Sequence, residues 1–264
     1  MLKRVFFLFL LNSYCIYNSS FYYNIPRDTH SDLVKVSSIN EKLYLVEDFN
    51  YWKTNTLIYI SKEKVYFFGT GWSSKSAQQI LWKAKSLTTK EFQGVFLIAP
   101  TLDYSGGIFE FRINENVPIY IHKAGYSYLL LEWEKWQEEM KEKFQSWIIE
   151  RQTPSFDGLL DDSLEIENGE IMIFYPEEIF VPGNLVVYFP YDKLIYGGNL
   201  FFDPDEYHLY LNSRQKQFLE NYKLLLRKLK RLDIEIIISG KGSPYHKKNL
   251  LFEIEKYLNS FSSI

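Results

Sequence analysis

Residues 97–107 read LIAPTLDYSGG, the end of an apolar run followed by a polar turn that closes on two glycines. The apolar run Val95–Ile98 predicts a strand that is buried on both faces. Upstream, Ser73 and Ser74 offer a helix N-cap. Apolar residues then recur at helical spacing, at Ala77, Ile80, Leu81 and Ala84. With the aromatic and β-branched run Val65–Phe68 ahead of this helix, the segment predicts a strand–helix–strand unit.

The rest of the chain alternates in the same way. Further strands are predicted at Leu43–Val46, Thr56–Ile60, Val117–Ile121, Glu170–Tyr175, Leu185–Phe189, Leu194–Tyr196 and Ile234–Ile238. Further helices are predicted around Trp133, Trp136, Met140, Phe144 and Trp147, from Ser213 to Leu232, and around Leu250, Leu251, Ile254 and Leu258. Two halves that each combine strands with helices predict an α/β protein of two mixed sheets with helices outside.

The composition of the chain excludes some classes of function. The 264 residues are 46% hydrophobic, which is typical of a globular chain. Thirty basic and 33 acidic residues give a net charge of −3, which argues against a protein that binds nucleic acid or a membrane surface through its bulk charge. The single cysteine excludes an intramolecular disulfide. We therefore expect one monomeric domain over residues 21–264.

The N-terminus resembles an export signal. The basic start at Lys3 and Arg4 precedes the apolar run Val5–Leu11, which is too short to span a bilayer. This pattern predicts a signal peptide over residues 1–20 and an exported protein, periplasmic or secreted. The alternative is a buried first strand in a cytoplasmic protein. A lipid tether through Cys15 is disfavoured, because Asn12, Ser13 and Tyr14 fit a lipobox poorly.

Asp103 and the pair Gly106–Gly107 carry a resemblance to the metallo-β-lactamase fold superfamily, which has a His-x-His-x-Asp-His-x-Gly-Gly loop after a strand. Further matching segments are Asn55, Gly69–Trp72, Val181–Pro190, Lys193–Asn199 and Ser239–Gly242. The resemblance spans residues 40–260 and is closest to the class that uses a cysteine ligand. It implies a four-layer αβ/βα sandwich of two mixed β-sheets with helices outside.

The resemblance also implies that the zinc ligands of the family are missing here. The first-site positions hold Ala99, Thr101 and Phe180, and none of these is a usual zinc ligand. At the second site Asp103 is kept, whereas Asn199 and Lys241 stand at ligand positions. Tyr104 takes the place of an extra histidine that some relatives use. We therefore expect no metal and no other cofactor.

Asp103 would be costly to bury without a partner. One hypothesis is that the Lys241 ammonium replaces the metal charge and pairs with Asp103, while Phe180 and Tyr104 fill the vacated volume. The alternative is that Lys241 points into solvent and Asp103 caps the glycine-rich turn. The histidines His30, His122, His208 and His246 have no shared ligand spacing and are interpreted as surface or satisfied residues.

Two functions remain open. The first is a non-catalytic, exported binding protein that holds an unknown small molecule or peptide in an aromatic cleft. That cleft would be lined by Trp52, Trp72, Tyr104, Phe180 and Tyr245, with Asn184 beside it. The second is a hydrolase-like enzyme with metal-independent or single-metal chemistry. There Asp103 and Lys241 would act as acid and base, and Tyr104 and Asn199 would orient the substrate.

Overall fold

The structure is a computed structural model that describes residues 34–49, 53–144, 153–201 and 216–246, together with Lys248 and Phe252. These residues belong to one compact unit, Asp32–Ile264. The predicted signal peptide, Cys15, His30, Trp52, Trp147 and His208 lie outside the described residues, as does most of the predicted closing helix. Among the described helices, none has the length and apolar character needed to cross a bilayer.

Seven strands form the first sheet, in sequence order from one edge to the other. They are β1 (Val34–Ser38), β2 (Leu43–Asp48), β3 (Asn55–Ile60), β4 (Lys64–Phe68), β5 (Glu91–Phe96), β6 (Ile119–His122) and β7 (Gly158–Leu160). The pairs from β1 to β4 are antiparallel, and the pairs from β4 to β7 are parallel. The carboxyl ends of β4 to β7 therefore meet at one edge.

Six strands form the second sheet, in the order β13-β12-β11-β10-β9-β8. They are β8 (Ser163–Ile166), β9 (Ile171–Phe174), β10 (Val186–Phe189), β11 (Leu194–Tyr196), β12 (Ile236–Ile238) and β13 (Tyr245–His246). The β11–β12 pair is parallel and its neighbours are antiparallel. Both sheets are mixed, as predicted.

Five described α-helices cover the outer faces of the two sheets or follow their strands. They are α1 (Ser74–Leu87), α2 (Leu102–Ser105), α3 (Ile108–Glu115), α4 (Lys123–Phe144) and α5 (Lys216–Arg231). Helix α1 begins as predicted, because the Ser73 hydroxyl accepts the backbone N–H of Ser76 at 3.2 Å. Trp133 and Trp136 are buried in the core, as their helical spacing indicated.

Three hydrophobic cores separate four layers. The first lies between the first sheet and helices α1, α3 and α4, the second between the two sheets, and the third between the second sheet and α5. The burial of both faces of the run Val95–Ile98 explains why it is apolar throughout. Val95 and Leu97 belong to the first core, whereas Phe96 and Ile98 belong to the second. The predicted four-layer α/β sandwich is confirmed.

Some elements of the structure were not predicted from the sequence patterns. Strands β1, β7 and β8 are edge strands of three to five residues with incomplete burial, so their apolar alternation is weak. The segment after Pro100, expected to be a turn, forms the short helices α2 and α3. The other predicted elements within the described residues agree to within a few residues at their ends.

The pair Gly106–Gly107 sets how closely α2 approaches the loop after β4. A Cβ on Gly106 would overlap the backbone carbonyl of Trp72, and one on Gly107 would overlap that of Thr70. The Gly107 N–H also donates to the Thr70 hydroxyl at 3.2 Å. Gly106 has helical torsion angles (φ −64°, ψ −20°), so backbone conformation does not require glycine there. The requirement is the close approach of two backbones.

Gly106→Ala is therefore expected to lower the free energy of unfolding by about 3 kcal/mol, because the clash falls on backbone that cannot move aside. Chemical denaturation of the wild type and the variant measures this. Alanine has the higher helix propensity, so an unchanged or raised stability would contradict the packing argument. Gly158→Ala is the matched control, since Gly158 has no positive φ and its Cβ would meet only the side-chain ring of Tyr120, so its loss of stability should be clearly smaller.

Candidate functional site

The loops at the carboxyl ends of β4 to β6 meet loops of the second sheet at one edge of the sandwich. The Leu185 N–H donates to the carbonyl of Ile98 at 2.7 Å, which joins the two sheets, and the Gly240 N–H donates to that of Gly198 at 2.9 Å within the second sheet. Asn199, next to Gly198, reaches Asp103 from the second sheet. These contacts bring together the segments that carried the resemblance to the metallo-β-lactamase fold.

Asp103 sits at the centre of this edge and is 7% exposed. The Thr101 hydroxyl donates a short hydrogen bond to Oδ1, and Asn199 Nδ2 donates to Oδ2 at 3.4 Å. Both donors are neutral, and both stand where the resemblance places ligand positions of the family. We call Thr101, Asp103 and Asn199 the polar triad. It holds one carboxylate by two neutral hydrogen-bond donors.

The proposed ion pair between Asp103 and Lys241 is not formed among the described residues; the oxygens of Asp103 are engaged by Thr101 and Asn199 instead. Lys241 is half-buried, and its backbone is tied to Thr54 by a β-bridge. The alternative role of Asp103 as a cap also differs from the structure. Asp103 lies within the first turn of α2, and Thr101 is the N-cap residue.

Tyr104 fills the space under this edge. Its side chain is fully buried in the core between the sheets. Glycines line the ring: a Cβ on Gly69 or Gly198 would stand 3.7 or 3.5 Å from it, and one on Gly240 would overlap its hydroxyl. The glycine framework that carried the resemblance thus accommodates a large aromatic ring here.

Phe180 does not share this role. It packs against the third core, on the outer face of the second sheet, with its ring centroid 6.5 Å from that of Tyr222 on α5. The hypothesis that Phe180 fills volume beside Tyr104 is wrong for this reason. The segment of residues 180–183 directs its aromatic side chain toward the helix layer instead of the space between the sheets.

The expected aromatic cleft is not built from the described members. Trp72 is fully buried in the first core, Tyr104 in the second, and Phe180 packs on the third. Trp52 and the side chain of Tyr245 lie outside what the structure describes. The three described rings were expected to line one cleft, but the layered packing assigns each to a separate core.

Asn55 ties the late glycine loop to the first sheet. Its Nδ2 donates to the carbonyls of Ser239 at 3.0 Å and Gly242 at 2.7 Å, and its N–H donates to Gly240 at 2.7 Å. The Tyr196 hydroxyl donates to the Asn55 carbonyl at 2.5 Å. Burial, together with the nearby Asp103 carboxylate, raises the pKa of Tyr196, so this hydroxyl remains a donor.

Asn184 is the least satisfied polar residue of this edge. Its side chain is fully buried, and neither Oδ1 nor Nδ2 has a hydrogen-bond partner within the described residues. The neighbouring Leu185 N–H is bonded to Ile98, which holds this segment against the 97–107 loop. Asn184 was placed in the cleft from sequence; the structure places it inside the protein, beside that loop.

A model of the metallo-beta-lactamase superfamily matches residues 54–241, well over half of the chain. The chain belongs to the metallo-β-lactamase superfamily. The match includes Asn55, the 97–107 loop, the polar triad and Lys241. The fold is consistent with a superfamily of hydrolases.

Solved metallo-β-lactamase structures have the same fold. TMB-1 aligns with a TM-score of 0.64 at 19% identity, covering 86% of this chain and 99% of TMB-1. DIM-1 metallo-β-lactamase aligns with a TM-score of 0.64 at 18% identity, covering 85% and 96%. A metallo-β-lactamase from Pontibacter korlensis aligns with a TM-score of 0.61 at 16% identity, covering 84% and 99%. At identities this low, the structural alignments establish a shared fold.

The residues of this metallo-β-lactamase-fold chain do not fit zinc. A catalytic zinc ion takes about three protein ligands from histidine, cysteine and carboxylate side chains. The family's ligand positions here supply one carboxylate, Asp103, beside a methyl group, a hydroxyl, a phenyl ring, an amide and an ammonium. Among the described residues, no three His, Cys, Asp or Glu side chains are close enough to share an ion.

His122, at the end of β6, is a buried residue that sequence reasoning left without a role. It is 1% exposed, and its ring stacks on Tyr175 at 4.1 Å. Its Nδ1 accepts the Ala124 N–H at 3.3 Å, and Nε2 lies 3.6 Å from Asp162 Oδ1. Burial lowers the pKa of His122, although Asp162 opposes the shift. The histidine thus joins the two sheets in its neutral form.

Asn199→Asp would set a second carboxylate about 3.4 Å from Asp103. Repulsion between the two charges would raise the folded-state pKa of this carboxylate pair above the unfolded value of about 3.9. The penalty is then absent below about pH 4, grows as the pH rises, and reaches about 1–2 kcal/mol at pH 7. Denaturant unfolding across this pH range measures it.

The double variant Asp103→Asn/Asn199→Asp is the control for this charge effect. It swaps the two groups and keeps a single carboxylate, so it should recover most of the stability lost at pH 7. A constant loss at every pH in the single variant would contradict the geometry of the triad.

Wild-type stability should also fall as the pH drops through the ordinary histidine pKa of about 6.5. The unfolded chain protonates His122 there, whereas the folded chain resists protonation until its own lower pKa is reached. His122→Asn keeps an acceptor for the Ala124 N–H and should remove this part of the pH dependence. His246→Asn, on an exposed histidine, should leave it in place; the reverse pattern would contradict the assignment.

Proposed function

We propose that this chain is a non-catalytic member of the metallo-β-lactamase superfamily that acts as an exported binding protein. The polar triad carries the proposal. Both oxygens of the one carboxylate at the family's metal positions accept hydrogen bonds from neutral side chains. That arrangement stabilises Asp103 within the protein, and the surrounding side chains are not the donor set that a catalytic zinc ion requires.

The alternative, a metal-independent hydrolase, has less support. It requires Asp103 and Lys241 to act as acid and base on a substrate, and each must be available within hydrogen-bond reach of the group that it serves. Asp103 instead bonds to Thr101 and Asn199. If hydrolysis is found nevertheless, Lys241→Met should abolish it when Lys241 is the acid or base.

The binding surface that we propose lies along the exposed parts of the same edge. Thr101, Asn199 and Lys241 are half-buried, and Gly242 and Ser243 are exposed. These residues offer hydroxyl, amide and ammonium groups, which suits a small polar molecule or a peptide. A groove of about 590 Å³ exists elsewhere, lined by residues at the opposite end of β5 such as Glu91 and Phe92. It shares no residue with this edge.

Export rests on the N-terminal pattern of Lys3, Arg4 and Val5–Leu11. Cell fractionation followed by intact-mass measurement tests it. A shortened chain outside the cytoplasm supports export, and a cytoplasmic chain that retains Met1 would refute it. A lipid mass on Cys15 would show a membrane tether.

Metal content tests the loss of zinc chemistry. The chain is supplied with zinc and then freed of loosely held ions. Plasma mass spectrometry measures the zinc that remains bound per chain, with DIM-1 metallo-β-lactamase processed in parallel. We expect well under about 0.1 zinc per chain, because the donor set is unsuitable. We also expect no chelator-sensitive hydrolysis of a chromogenic β-lactam. One or more tightly held zinc ions, or chelator-sensitive turnover, would overturn the proposal.

A further inference from the structure

Helix α5 concentrates positive charge in a chain of net charge −3. Its sequence, KQFLENYKLLLRKLKR, holds six basic residues and one acidic residue. One face of the helix is apolar and buried: Tyr222, Leu225, Leu226 and Leu229 all pack in the third core. This packing fixes the rotation of the helix about its axis, and so determines which side chains point away from the protein.

The outward face forms a basic stripe, which we define as Leu224, Arg227, Lys228 and Arg231. These residues follow the spacing i, i+3, i+4 and i+7, so they are neighbours on one side of the helix. All four are exposed, and Leu224 is 40% exposed. Three cations and one leucine therefore share a single solvent-facing surface.

Nearby acidic side chains are engaged by other lysines. Glu220 pairs with Lys223 at 2.8 Å, while Asp233 and Glu235 pair with Lys193 at 3.1 and 3.0 Å. Within the described part of the chain, no ion pair reaches Arg227, Lys228 or Arg231. Cations near the C-terminal end of a helix are favourable in themselves. Apart from this effect, no ion pair among the described residues offsets the charge of the stripe, so it can interact with a partner outside these residues.

We propose that the basic stripe docks on a bilayer containing anionic phospholipid. Arginine and lysine on one face of an amphipathic helix attract anionic head groups, and an adjacent exposed leucine can enter the interface. The apolar side of α5 is already buried, so the contact is electrostatic and peripheral, with the helix remaining in the fold. Leu224 within the stripe favours a bilayer over duplex DNA, because a phosphate backbone offers no apolar layer for the leucine to enter.

Vesicle sedimentation tests the proposal. The full chain is mixed with phosphatidylcholine vesicles, with and without about 30% phosphatidylglycerol. Each cation at an anionic surface contributes about fivefold to binding, so Arg227→Gln/Lys228→Gln/Arg231→Gln should weaken binding to the anionic vesicles by about 100-fold. About 0.5 M NaCl should release the wild type, because salt screens exposed charge. Thermal unfolding of each variant confirms that it is folded.

The triple variant Lys62→Gln/Lys64→Gln/Lys90→Gln is the matched control. It removes the same number of charges from lysines around β4 and β5, of which Lys62 is exposed while Lys64 and Lys90 are half-buried, so its folding is checked first; it should then bind the anionic vesicles like the wild type. Equal loss in both triple variants would mean a response to net charge alone and would overturn the proposal. So would equal binding to both vesicle types, or binding to a DNA duplex without binding to vesicles. Metal content plays no part in this test, so it stands or falls separately from the proposed function.

Discussion

The close packing of Gly106 and Gly107 against the backbone of residues 70–73 positions everything else at the candidate site. Because neither glycine has a side chain, the short helix α2 lies directly on the loop after β4. The Thr70 N–H then donates to the Tyr104 carbonyl at 2.9 Å, and Tyr104 is directed into the core between the sheets. Asp103, one residue earlier, faces Asn199 from the second sheet.

This geometry explains how the metallo-β-lactamase fold of this chain accommodates a buried carboxylate and the space beneath it. A buried carboxylate needs hydrogen bonds or opposite charge, and here Thr101 and Asn199 supply hydrogen bonds. Interior volume must also be filled, and the Tyr104 ring occupies a space bordered by Gly69, Gly198 and Gly240. Packing and hydrogen bonding thus take over two tasks, charge stabilisation and space filling, that metal ions would otherwise share.

Distinct parts of the fold support the two proposals. The candidate binding edge lies where loops of both sheets meet, tied together by Asn55 through three hydrogen bonds to the residue 239–242 loop. The basic stripe lies on the outer helix layer, on the far side of the third core. A protein that binds at its loop edge can therefore rest on a surface through α5 without blocking that edge, since the two involve different residues.

Apolar periodicity in the sequence determined the layered fold. The run Val95–Ile98 predicted a strand buried on both faces, and helical spacing placed α1 and α4, because burial in a layered protein must follow the period of each element. The residue types at the positions that the resemblance assigns to zinc ligands were equally visible in the sequence, since ligand chemistry depends on residue type. Which side chains meet was decided only by tertiary structure. Asp103 bonds to Thr101 and Asn199 rather than pairing with Lys241, and Trp72, Tyr104 and Phe180 enter three cores. Order along the chain gives the loop on which a residue sits, whereas partner and burial depend on the direction of its side chain, which the packing of the surrounding layers sets.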